Sequence, residues 1–198
     1  YKHMQSRFGL YCRAHRVIQA TSFILILLAI VVPAGHMIVY IPWLNGTNLV
    51  TINGVAGIAY GATPVMLFRN EGTRLELFSL FPWRLINGAI LLILWIVPWV
   101  MCGIFRPASQ FAYIATCSIT LAVVVGQFLR SDTLILFIIG QFLLQTVMWQ
   151  SVRNLPIRFI MFAVNQPPLK VAFILSVSLF VISLIWVRDP LKTNKLGQ

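Results

Sequence analysis

Acidic residues are almost missing from this chain. Only Glu71, Glu76, Asp132 and Asp189 stand against 15 Lys and Arg, and the net charge is +11 over 198 residues. A proton or ion path through a membrane usually needs a carboxylate at depth, and these four map to loops or helix ends. Charge of either sign is scarce, at 10% of residues, where a soluble globular domain carries roughly 25%. So little charge, with 59% hydrophobic residues and a mean hydropathy of +0.88, excludes an ordinary soluble domain and points to lipid as the solvent.

Cysteine and histidine are equally sparse. Cys12, Cys102 and Cys117 include no Cys-x-x-Cys pair, and an odd, scattered set excludes a disulfide framework. Cys102 and Cys117 read as small buried hydrophobes. The histidines are His3, His15 and His36. A helical bundle holds haem between facing helices. His15 and His36 fall at opposite ends of one helix, roughly 30 Å apart at 1.5 Å per residue, which excludes a bis-His haem within the chain. His36 alone remains as a cofactor ligand, with the second ligand supplied by a partner chain. Clustered metal ligands, a nucleophile beside a base, a Gly-x-Ser-x-Gly elbow and a phosphate-binding loop are all missing. No cofactor is expected, and the sequence leans against an enzyme. The basic residues occur singly or in pairs between apolar runs, which argues against nucleic acid, whose phosphates need clustered charge.

Long apolar runs are what the chain does have. A span needs roughly 20 apolar residues to cross a hydrocarbon core of about 30 Å. From Val17 to Phe68 there is no Asp, Glu, Lys or Arg, which leaves room for two crossings. Val17–Ile41 reads as the first span, kinked at Pro33 and ended by Pro42-Trp43; it is too long for a signal-peptide core. Leu49–Phe68 holds Asn53, Gly54, Gly57, Gly61 and Pro64. Gly57 and Gly61 form a GxxxG with Asn53 on the same face, the pattern of close helix packing. A broken helix lining a transport site is the alternative reading of that segment. Leu85–Phe105, Gln110–Leu129, Leu134–Gln150 and Val171–Val187 supply four more spans. Pro98 lies inside the first of these. Arg130, Ser131 and Asp132 make a tight turn between the middle two. Were that stretch one long tilted element instead, Arg130 and Asp132 would form a buried ion pair.

The remaining segments are polar or amphipathic. Residues 1–16 and 188–198 are basic tails flanking a bundle of residues 17–187. Arg153–Val164 reads as a short interfacial helix. Gln141 and Gln145 lie one turn apart in a span, where each can hydrogen-bond to a neighbouring helix. Asn45-Gly46-Thr47 is an N-x-T acceptor pattern. Val32-Pro33 and Pro42 repeat as Val97-Pro98 and Pro107 at the same spacing, a faint echo of the internal repeats seen in transporters. The stretch Gly103-Ile104-Phe105-Arg106-Pro107-Ala108 resembles the glycine-to-arginine turn between helices of small DoxX-like bundles; the resemblance covers these few residues and carries no site or function to this chain.

Orientation follows from charge. Six spans put Lys2, Arg7, Arg13, Arg16, Arg69, Arg74, Arg84, Arg130, Arg188, Lys192 and Lys195 on the side of both termini. Only Arg106, Arg153, Arg158 and Lys170 lie opposite. Five spans divide the same residues almost evenly. The positive-inside rule therefore favours six, with both termini cytoplasmic. The fold expected is an all-α polytopic transmembrane bundle of six spans, five being the alternative, with one interfacial helix. The partners expected are membrane lipids and other membrane-protein subunits. The absence of chemistry beside so many packing features points to a non-catalytic structural or assembly subunit of a larger membrane complex. A small transporter or channel subunit, and an electron-transfer or enzyme subunit sharing a cofactor with a partner, are the competing readings.

Overall fold

The computed structural model describes residues 16–39, 50–68, 83–105, 109–152, 154, 161–162, 164 and 167–186. The basic tails and most of the proposed interfacial helix at Arg153–Val164 lie outside the described residues. The described chain is almost entirely helical. Its elements in order are α1 (Val17–Ala34), β1 (Ile38–Val39), β2 (Val50–Thr51), α2 (Ile52–Tyr60), α3 (Thr63–Phe68), α4 (Trp83–Ile104), α5 (Ser109–Val125), α6 (Ser131–Val152) and α7 (Leu169–Trp186).

The first apolar run is not one helix. It stops at Ala34, with the Gly35 N–H returning to Val31 O at 3.0 Å. Beyond the stop, Ile38 and Val39 pair antiparallel with Thr51 and Val50. These four β-branched residues favour extended backbone. Tight packing also sets the stop, since a Cβ at Gly35 would overlap the Asn53 side chain. The second run is also divided. Gly61 and Ala62 bond back three residues, to Ile58 O and Ala59 O, each at 3.0 Å. That tightened turn separates α2 from α3.

Helix α5 is the centre of the molecule. Every residue from Phe111 to Thr120 is buried, and α2, α3, α4, α6 and α7 all pack on it. Its sequence allows this because alanine, serine, threonine and Cys117 keep it thin. On one side Tyr60, Leu91, Leu94, Phe111, Ala115 and Ile119 join Ala20, Leu27 and Val31 of α1. On the other, Ile58, Tyr113, Ile114, Leu134, Ile138 and Ala172 form a second cluster.

Contacts fix the helix directions. Thr51 bonds Gln110, and Gly57 and Gly61 face Ile114 and Ser118, so α2 runs parallel to α5. Trp95 stacks near Phe180 and Trp99 near Phe173, with ring centroids 5.2 and 5.0 Å apart, so α7 runs antiparallel to α4. Short connections make α4 and α6 antiparallel to α5, and the hairpin reverses α1 into α2. With α2 and α3 taken as one broken rod, six rods alternate in direction along the described chain.

Small hydroxyl side chains share the apolar interior, and many large apolar side chains face outward. Thr63, Thr116, Ser118, Thr146, Ser176 and Ser183 are buried, while Ile18, Leu85, Leu136, Val147, Ile174 and Ile185 are exposed. Soluble folds bury the second set and expose the first. Three helices are long and apolar enough to cross a membrane, at Val17–Ala34, Leu85–Ile104 and Asp132–Trp149. The helices at Ile52–Phe68, Ser109–Val125 and Leu169–Ile185 are shorter.

Glycine substitutions test this packing. A Cβ at Gly57 would lie 2.8 Å from Ile114 Cγ2, whereas nothing stands within 4 Å of one at Gly140. Gly57→Leu should destabilise the bundle by about 1–3 kcal/mol through overpacking. Gly140→Ala should stabilise it by about 0.5–1 kcal/mol through helix propensity. Reversible unfolding in mild detergent measures both.

Candidate functional site

The break between α2 and α3 gathers the polar chemistry of the interior. Prolines create the problem it solves. Pro64 has no N–H to give to Tyr60 O, four residues earlier, and Pro98 none to give to Leu94 O. Neither carbonyl is left bare. Thr63 Oγ1 donates to Tyr60 O at 2.8 Å, and the Tyr60 hydroxyl donates to Leu94 O at 3.1 Å. Tyr60 is fully buried, and its ring meets Phe111 edge-on at 5.8 Å. One residue thus accepts the repair of the α3 proline through its backbone and supplies the repair of the α4 proline through its side chain.

The entrance to α2 is closed in the same way. Met37 O accepts from Ile52 N and Gly35 O from Asn53 N, both at 3.0 Å. Thr51 is extended and caps the helix, its hydroxyl accepting from Gly54 N at 3.2 Å. The same hydroxyl lies 2.9 Å from Gln110 Oε1, which ties the cap to α5. These donors of the helix N-terminus are therefore spent within the protein, not turned toward a ligand.

A chain of hydroxyls joins α4, α5 and α7. Trp99 Nε1 donates to Thr116 Oγ1 at 3.3 Å, and Thr116 donates to Ala112 O at 2.9 Å. One turn on, Thr120 donates to Thr116 O and accepts from Ser183 Oγ, both at 3.0 Å. Each donation within α5 goes back to a carbonyl of its own helix, and the remaining capacity bridges to a neighbour.

The residues singled out from sequence fall in separate places. Gly57 and Gly61 lie on the α5-facing side of α2 and its end, against Ile114, Ala115 and Ser118. Asn53 is 3% exposed and lies against Gly35. Gln145 Nε2 donates to Gln141 Oε1 within α6, so this bond stays inside one helix. His36 is exposed in the turn after α1. Arg130 and Asp132 do not form a buried ion pair, since both are exposed where α5 turns into α6. The physical reason is that the helix stops at Val125 and restarts at Ser131, which places the charges at a loop. Among the described residues, no three His, Cys, Asp or Glu side chains come together as a metal site. Cys102 and Cys117 are both buried and unbridged.

Sequence reasoning passed over Tyr60, Thr63 and the α5–α7 hydroxyls. A proline preceded by threonine, as in Thr63-Pro64, does signal a local repair. Nothing local links Tyr60 to a carbonyl 34 residues away. Comparison with protein families, with curated proteins and with solved structures finds no match for this chain.

A double-mutant cycle isolates the Tyr60 repair. Tyr60→Phe alone should cost about 1–2 kcal/mol, because it leaves a buried carbonyl unsatisfied. Where Pro98→Ala has restored the helical N–H, the same change should cost less than half as much. Unfolding free energies of the four proteins give the coupling.

Proposed function

We propose that this protein is a polytopic membrane bundle of six spans that serves as a non-catalytic structural or assembly subunit of a larger membrane complex. The observation that carries the reading is the filled interior. The glycine face that would open a path through the bundle is occupied by Ile114, Ala115 and Ser118, and α5 is buried along ten successive residues, Phe111 to Thr120. Thr63 and Tyr60 at the centre are spent on repairing the backbone.

The outer surface supports the same reading. In α1 only Ala20, Leu27 and Val31 are buried, while Ile18, Leu25 and Ile26 are more than half exposed. A helix held by so narrow a stripe has an apolar face available for lipid and for neighbouring subunits. Van der Waals packing, rather than the hydrophobic effect, drives such association in lipid.

The alternating rods and the charge rule both support six spans. One of the shorter rods, α5, is the central one. At 17 residues, α5 measures about 25 Å, below the roughly 30 Å of a hydrocarbon core. Because protein surrounds it, its ends need not reach the bilayer surface. The resulting topology places both termini in the cytoplasm, with Arg74 on their side and Arg158 opposite. The broken α2–α3 rod favours transport as the second reading, since discontinuous helices hold substrates in transporters; here the break is filled by Thr63, Tyr60 and Ser118.

Two measurements test this. Single cysteines at 74 and 158, in a background lacking the three native ones, should label from opposite sides, with 74 on the side of an N-terminal tag. Label at 158 on the tag side would replace six spans by five. Native electrophoresis after mild solubilisation should show the chain in an assembly larger than itself. A monomer with no stable partner would remove the subunit reading.

A further inference from the structure

We propose that the connection between α6 and α7 is re-entrant: it dips into the membrane from the side opposite the termini and turns back without crossing. The proposal rests on the membrane reading above, while the dip is read from the bundle itself. Helix directions bring three points to one end, the finish of α6 at Val152 and the starts of α5 at Ser109 and α7 at Leu169. Thr120 meets Ser183, and Tyr113 clusters with Ala172, which sets α7 in that direction beside α5. The chain leaves this end after Val152 and is back at it by Leu169. Between the two, Met161 and Phe162 line a hollow with Leu121, Phe137 and Gln141. Counted from that end at 1.5 Å per residue, Leu121 lies about 18 Å along α5, and Gln141 and Phe137 about 16 and 22 Å along α6. An interfacial helix sinks its apolar face by only about 5–10 Å. The tip of the connection therefore reaches mid-depth. Val164 N–H donates to Met161 O at 3.3 Å, a turn that reverses the chain there. The stretch from Phe162 to Leu169 can then span up to about 24 Å, enough for the climb.

Burial along the connection follows the dip. Asn154 is exposed, Met161 is 9% exposed, and Leu169 and Lys170 are exposed again. Phe162 and Val164 pack on the cluster built from Ile114, Leu134 and Ile138. That cover is what the medium demands, because non-helical backbone lies at membrane depth only where protein surrounds it or water fills a cavity beside it. The dip serves α6 in return. Gln141 and Gln145 bond to each other within that helix, and both border the hollow that Met161 and Phe162 line. Amides turned toward hydrocarbon are costly, and Gln145 is 9% exposed. Charge agrees with this placement. Arg153–Val164, read from sequence as a flat interfacial helix, is basic, and such a helix belongs on the anionic cytoplasmic leaflet. With six spans the segment falls on the other side, where its apolar residues have the bundle to pack against instead.

The test uses the full chain, without its three native cysteines, in sealed membrane vesicles. A short bis-maleimide should join Phe162→Cys to Phe137→Cys and should leave Phe162→Cys with Ser151→Cys unjoined, as read by mass spectrometry of the digested protein. Positions 137 and 151 are about 21 Å apart along α6, so the two pairs discriminate sharply. A charged maleimide should label Asn154→Cys and Lys170→Cys from the side opposite an N-terminal tag, and Met161→Cys only after denaturation. The elution profile in mild detergent confirms that each variant is folded, and Val164→Cys replaces a variant at 161 or 162 that is not. No link to 137, or labelling of Met161→Cys as fast as Asn154→Cys, overturns the dip and leaves a flat surface helix. Label reaching 154 and 170 from opposite sides overturns it in favour of a further crossing. Leu144→Cys, at a position 59% exposed on α6, should stay unlabelled by the charged reagent. Its labelling overturns the membrane reading, and the re-entrant placement with it, whether or not the link to 137 forms.

Discussion

The close approach of α2 to α5 is the contact on which the rest of the bundle depends. At Gly57 and Gly61 the α2 backbone carries no side chain, and Ile114 and Ser118 of α5 fill the space. Dispersion attraction acts only at short range, so surfaces that approach this closely gain most from it. Two glycines one turn apart give a groove deep enough for that. The contact also fixes rotation about α2. Once Gly57 faces α5, Tyr60 falls beside Phe111 and its hydroxyl reaches α4.

Proline sets the second constraint. A proline within a helix removes one backbone donor and leaves one carbonyl unanswered. The fold answers the α3 proline locally with Thr63 and the α4 proline remotely with Tyr60. A tyrosine suits the remote case, because its ring fills apolar space while its hydroxyl serves one acceptor. The two prolines are therefore answered by hydrogen bonds that tie α3 to α2 and α2 to α4.

Much of this was legible as pattern. Apolar runs of about 20 residues located the helices, and the Arg130–Asp132 turn fell between α5 and α6. The glycine pair pointed to a packing face. The end of α1 was not legible. Residues 17–41 are apolar throughout, and apolarity does not separate helix from extended chain when both are buried or face lipid. Gly35 and the β-branched pair at Ile38–Val39 made that decision, and it needed Asn53 and β2 in place. Gln141 and Gln145 were visible as polar residues in a span, but their partners were not. An amide that bonds along its own helix has the same sequence spacing as one that reaches across to another.

The sequence by itself determined that this chain is helical and apolar, and where its helices begin within a few residues. Those properties follow from composition and period, which each segment carries alone. Only the tertiary structure decided that α5 is the centre, that the glycine gap is closed, and that Tyr60 completes a carbonyl in another helix. These depend on which faces meet. Six apolar helices of similar composition can be packed in many orders, and only close contact between particular side chains selects one.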